Sequence, residues 1–345
     1  MRIGLMLHLT PAPGQSAIAT YADFTELVCH AEQLGYHEAW VTEHHFNEHS
    51  LCPAPHVLMA HFLARSERIA LGSAAILVGF HDPVSVAEEI ATLASLAPGR
   101  VLAGFAKGGP FEAQNRAFGF DGTVARDRLR EAVPAIAALL GGEPVSHTGR
   151  HYHWEDIDLH PRNDGPAVPF FIASSDPSTI ELAARHGFGL MNAQFWPDEK
   201  VRMNGEFWRS SVPGHTPDMM LARGLFIDDD PQRARAQALT HIHDFRARKA
   251  QLWGNHKGPL ADVPDAVIVE RMLAGTAQEV AEKTRALTAL GVTRLALNPL
   301  SWTMEERHGQ IERYAREVMP RIENRHTAPR PVSPDWVDPL VMEVK

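Results

Sequence analysis

Apolar positions along this chain come in two textures: short uninterrupted runs, and longer stretches in which apolar residues recur at the spacing of one helix face. The first texture predicts buried strands and the second amphipathic helices. Ile3 to His8 reads as a strand, Tyr21 to Leu34 as a helix closed by Gly35, and the run ending in Val41 as a second strand. A Pro53-Ala54-Pro55 loop leads to a helix through Leu63 and a third strand from Ile69 to Leu77. The next helix enters at Asp82-Pro83, where a capping side chain precedes a first-turn proline, and stops at Gly99. Val101 to Ala106 is the fourth strand. A long loop holding Phe111, Phe118 and Phe120 separates it from a helix over Arg126 to Leu140.

Gly141 to Pro166 is polar and turn-rich and predicts a hairpin insertion carrying Tyr152, His153 and Trp154. Pro169 to Ala173, Gly189 to Ala193, Met219 to Ile227 and Arg294 to Leu297 supply strands five to eight. Helices fall over Pro177 to His186, through Trp208, over Pro231 to Trp253, Thr276 to Leu290 and Met304 to Ile322, with a loop from Asn255 to Pro264. Strands alternating with helices call for a parallel sheet, and eight such units close it. The expectation is an α/β fold, a (β/α)8 TIM barrel over residues 1–328, with a proline-rich C-terminal tail at 329–345. No Gly-x-Gly-x-x-Gly opens the first helix, as an open dinucleotide-binding sheet would require.

Composition narrows the function. A net charge of −9 over 345 residues argues against a nucleic-acid or anionic-membrane binder, and 44% apolar residues suffice for a large core. No apolar stretch reaches membrane-spanning length and the N-terminus has no signal-peptide pattern, so a cytoplasmic protein acting on a small molecule is expected. The two cysteines, Cys29 and Cys52, read as reduced packing residues. Twenty histidines are scattered without the paired spacing of a metallohydrolase, and no metal is expected.

Chemistry concentrates where the second strand ends, in Glu43-His44-His45-Phe46. Three consecutive ionisable side chains at a strand end belong to a site or to a compensated structural network. Successive side chains point to opposite faces, so His44 and His45 cannot converge on one ligand. One imidazole is left to face the site and move protons. The other packs behind it. In a barrel the site lies at the carboxyl ends of the strands, which selects His8, Glu43 to His45, Ala74-Ala75, Ala106-Lys107 and Ser174-Ser175.

Taken in order, Glu43-His44-His45-Phe46, Gly72-Ser73-Ala74-Ala75-Ile76-Leu77, His81-Asp82-Pro83-Val84 with Glu88-Glu89, Gly99-Arg100-Val101, Phe118-Gly119 and Ala183 to Gly187 resemble the bacterial luciferase-like flavin-dependent monooxygenases, the luciferase α subunit especially. The resemblance covers residues 1 to 322. It implies reduced FMN supplied by a separate NAD(P)H:flavin reductase, O2 activated as a C4a-(hydro)peroxyflavin, a small organic substrate and a homodimer. His44 matches the family's catalytic histidine, and Glu43 its neighbour beside the isoalloxazine. The pair matching Ala74-Ala75 is joined by a cis peptide in the relatives. Cofactor contacts are implied for Ala106, Lys107, Arg126, Ala173, Ser174, Ser175, Ser178 and Thr179, the cationic and hydroxyl members suiting a phosphate. His8, Phe111, Met191 and Trp196 are candidates for the substrate pocket. Ala106 stands where the α subunit has a reactive cysteine, so chemistry of that thiol is absent. Alternatives on the same barrel are a deazaflavin (F420)-dependent oxidoreductase, which transfers hydride without consuming O2, and a non-catalytic flavin-binding subunit.

Overall fold

The computed structural model describes residues 1–109, 111–253, 260, 262–301 and 303–323. Eight parallel strands close into a barrel. They are β1 (Arg2–Leu7), β2 (Glu38–Val41), β3 (Ala70–Ser73) with its short continuation β4 (Ile76–Leu77), β5 (Val101–Ala106), β8 (Phe170–Ala173), β9 (Gly189–Asn192), β10 (Met219–Ile227) and β12 (Arg294–Pro299). β6 (Val145–Thr148) and β7 (His153–Ile157) form the expected antiparallel hairpin outside it. β11 (Leu273–Gly275) is added beside the upper end of β10, whose lower end pairs with β9 and closes the ring. Helices cover the outer face, and the main core lies between them and the sheet.

The interior is filled by matching large residues to small ones. Trp40 and Phe171 meet edge to face at 5.3 Å, and Met6, Met191 and Met220 pack around them. Gly72 makes room for this, because a Cβ there would lie 2.3 Å from the Trp40 ring. A barrel of eight strands has just enough interior for such side chains, so the centre is a packed plug and the chemistry is displaced to the rim.

Three local expectations need correction. The third strand is not continuous from Ile69 to Leu77, because a cis peptide between Ala74 and Ala75 divides it into β3 and β4. The long loop after β5 contains a helix, Glu112–Ala117, and the region before β11 contains another, Asp265–Glu270. β11 itself was missed in the sequence. The 329–345 tail and residues 255–259 of the loop before β11 lie outside the described residues.

Candidate active site

Glu43 follows the end of β2 and is 2% exposed. Burial alone pushes its pKa up, but hydrogen bonds from His45 and His81, the His81 charge and the Leu77 amide pull it down to about 2. His45 Nε2 donates to Glu43 Oε1 at 2.7 Å and His81 Nε2 to the same oxygen at 2.8 Å, while the Leu77 amide donates to Oε2 at 2.7 Å. Burial lowers the His81 pKa, but its bond to Glu43 and that residue's charge raise it overall. This carboxylate therefore locks β4, just past the cis Ala74–Ala75 peptide, to the end of β2. The three ligand-type atoms lie within 4.8 Å of one another. The donor–acceptor distances are those of charge-assisted hydrogen bonds, which satisfy the carboxylate through its imidazole partners.

His44 goes the other way. Its backbone amide donates to Cys52 O at 3.0 Å, and its ring stacks on His8 from the end of β1, with centroids 5.9 Å apart. The alternation expected from the sequence thus separates the imidazoles: His45 joins the Glu43 network and His44 joins His8. Both His8 and His44 are half-buried.

Next to them the rim is lined by small side chains on three adjacent strands. Ala74, Ala106 and Ala173 are half-buried against the interior plug, and Ala75 is buried. Lys107 follows β5, and its ammonium donates to Gly108 O at 3.2 Å without an ion pair among the described residues. Burial, and then the neighbouring Arg126 charge, lower its pKa below the usual lysine value. Arg126 lies 3.2 Å from Asp176, the cap of helix Pro177–Arg185, and Arg130 pairs with that carboxylate at 2.6 Å. Ser174 Oγ accepts from the Asp176 amide at 3.1 Å, and Ser175 and Ser178 are exposed at the helix entrance. Thr179 is buried, its hydroxyl donating to Asp176 at 2.8 Å and accepting from Arg130 at 3.1 Å, so it builds the entrance from beneath. A flat ring on the alanine rim with a phosphate beside Lys107 and the first turn of the helix fits this donor set.

Of the pocket candidates, Met191 is buried in the plug, Phe111 is half-buried after β5, and Trp196 sits in the loop after β9 with the Lys200 ammonium 4.4 Å above its ring. The sequence reading missed what holds that loop. Arg223, 1% exposed within β10, donates to Gln194 O at 2.8 Å, Trp196 O at 3.0 Å and Asp198 Oδ1 at 2.8 Å. An arginine inside the apolar run Met219–Ile227 was the available signal. His81 was also missed as a partner of Glu43, since nothing in a linear reading pairs residues that far apart.

Comparison with known proteins agrees with this geometry. Residues 1–294 match the family model of the luciferase-like monooxygenases. The chain is 26% identical to the oxygenase component of the flavin-dependent trigonelline monooxygenase of Acinetobacter baylyi, covering 94% of this chain and 98% of the relative. It is 29% identical to an F420-dependent glucose-6-phosphate dehydrogenase of Beutenbergia cavernae, covering 86% and 91%. The crystal structure of the monooxygenase RslO1 from Streptomyces bottropensis superposes with a TM-score of 0.83 at 25% identity, over 93% of this chain and 99% of that one. The barrel with its alanine-lined rim, the histidine at the end of β2 and the whole-length matches lead to one conclusion: the chain belongs to the luciferase-like monooxygenase family and is an enzyme of the flavin-dependent monooxygenase class.

Proposed function

We propose that this protein is the oxygenase half of a two-component system, using reduced FMN and O2 to oxygenate a small organic substrate. The observation that carries the reading is the rim: alanines on three adjacent strands, flanked by the His8–His44 stack and by a lysine without an ion pair among the described residues, beside a helix N-terminus. Reduced flavin supplies the two electrons with which O2 gives one atom to the substrate and the other to water. Lys107 and Arg126, with Ser174, Ser175 and Ser178, hold the phosphate. The alanines admit the ring. His44 holds and returns a proton at its imidazole as oxygen is transferred. Glu43 positions, keeping His45 and His81 oriented and the segment after Ala75 in place. The relative named an oxygenase component supports a separate reductase partner. Val57 and Leu96, exposed on helices Pro55–Arg65 and Pro83–Leu96, support a homodimer through these helices.

Relatives that use F420 favour a second reading, hydride transfer with a deazaflavin, because the same lysine and rim suit its shared ribityl phosphate. Anaerobic titration with reduced FMN and reduced F420, followed by an 18O2 pulse over a substrate panel, separates the two. The expected result is tighter binding of reduced FMN and 18O in a product. Tight binding of F420 with substrate-dependent hydride transfer and no oxygen uptake overturns the reading.

Among the described residues no helix is long and apolar enough to cross a membrane.

A further inference from the structure

The hairpin and the phenylalanines after β5, both singled out in the sequence, are not used by the reading above. They meet on the outside of the barrel. There the Gly79–Asp82 segment, the Phe118–Phe120 loop, Arg128 and the hairpin turn at His151–Trp154 line an open cleft of about 430 Å³. The wall is fixed. Glu131 accepts backbone N–H groups of Arg150, His151 and Tyr152 at 2.8 to 3.1 Å and the His147 ring nitrogen at 3.2 Å, tying the turn to helix Ala125–Leu139. Gly79 admits the Phe120 ring, since a Cβ at Gly79 would lie 2.6 Å from it.

The polar groups of this cleft are predominantly donors. Arg128 lies between two rings, its guanidinium carbon 5.2 Å from the Tyr152 centroid and 5.5 Å from that of Phe120. One nitrogen donates to Gly79 O at 3.3 Å, and no carboxylate pairs with it among the described residues. Tyr152 and Trp154 are each 9% exposed, and the Tyr152 hydroxyl, the Trp154 indole nitrogen and His151 Nε2 are closed to solvent and have no hydrogen-bond partner among the described residues. Buried polar groups are nearly always paired, so three orphans in the residues of one wall leave that wall short of hydrogen-bond partners. Neither nearby carboxylate pairs with Arg128 in an ion pair, although Asp82 lines the cleft. Asp82 Oδ1 caps its helix, accepting from Val84 and Ser85, and Glu131 holds the turn. What Arg128 lacks is an anionic acceptor of its own, and one carried on something flat would lie among Phe80, Phe120, Tyr152 and Trp154.

We propose that this cleft is a second ligand site, separate from the flavin rim, that binds a small arene carboxylate through Arg128, with the Tyr152 hydroxyl and Trp154 N–H as further donors. It adjoins the rim through His81, which donates to Glu43, and through Phe80 and Phe118, whose rings lie 5.9 and 4.7 Å from that of His45.

The test is calorimetric titration of the full-length protein with benzoate, with and without saturating FMN, beside Arg128→Met and Tyr152→Phe variants. Benzoate is expected to bind saturably in both conditions, about tenfold or more weakly in Arg128→Met and several-fold more weakly in Tyr152→Phe, which keeps the ring and its packing. Cyclohexanecarboxylate and inorganic sulfate are expected to bind more weakly than benzoate. No saturable binding, displacement by FMN, or an affinity unchanged in Tyr152→Phe would each overturn the site. Sulfate binding as tight as benzoate would overturn the aromatic class. Should Arg128→Met fail to fold, Tyr152→Phe alone decides.

Discussion

Strand β2 has a buried carboxylate at each end, and the two are held by different chemistry. At the amino end Glu38, 1% exposed, pairs with Arg2 and Arg294 and accepts from Trp40 Nε1 at 3.1 Å. Arg294 continues to Asp218 at 2.7 Å and lies over the Phe171 ring at 5.2 Å, so charge pairs seal the floor beneath the plug. At the carboxyl end Glu43 is just as buried but is held by two imidazoles. Guanidinium groups stay charged at any physiological pH, whereas imidazoles titrate. The floor is built to be permanent. The rim keeps imidazoles and a lysine without an ion pair among the described residues. This is the division between stability and catalysis that barrels place at opposite ends of their strands.

The comparison can be broken most sharply at His44. His44→Ala is expected to lower oxygenation turnover by roughly 10²–10⁴-fold, the usual worth of a positioned general acid–base, with the melting temperature unchanged. A variant that unfolds while its folded fraction keeps full turnover would place His44 with the floor. Glu38→Ala is expected to do the reverse and cost about 3–5 kcal/mol in chemical denaturation, because two arginines lose their shared buried partner. Unaltered stability would show the floor pairs to be dispensable. Lys107→Met is expected to weaken flavin binding by about 10–100-fold, the worth of a hydrogen bond between charged groups, with little effect on stability. Fluorescence quenching on titration measures it, and unchanged affinity would remove Lys107 from the phosphate site.

The smallest effect is the most informative about sign. Glu43 has its pKa lowered from 4.5 to about 2, so its contribution to stability is present above 4.5 and lost as pH falls towards 2. His81 has its pKa raised from 6.5, so its contribution is present below 6.5 and lost as pH rises through the raised value. The melting-temperature difference between wild type and Glu43→Gln should therefore be greatest between pH 4.5 and 6.5. A difference that grows below pH 4 would contradict this linkage.

The barrel was legible because each of its strands is an apolar run bounded by turn residues, and such runs survive in a linear reading. β11 was not, since Leu273–Gly275 is too short for any period to show. The break at Ala74–Ala75 was not readable from periodicity either, because both alanines suit a continuous strand; it entered only through the family resemblance. In the site, Glu43-His44-His45 announced itself by placing charge at a strand end, and alternation correctly separated the two imidazoles. Partners brought together by pairing of neighbouring strands stayed hidden. His81 reaches Glu43, and Arg223 reaches the loop after β9, only once consecutive strands lie side by side across their intervening helices.

Arg223 has a consequence for how this protein can change. Two of the groups it grips in the loop that carries Trp196 are main-chain carbonyls, of Gln194 and Trp196. The part of the tether that reads backbone does not depend on the side chain at 196. Gln194 also accepts from Asn298 Nδ2 at 2.9 Å and Phe195 packs against the cluster around Phe226 and Ile242, so position 196 is the one to vary: a library there would test whether this loop sets what the enzyme accepts while its carbonyl tethers stay in place.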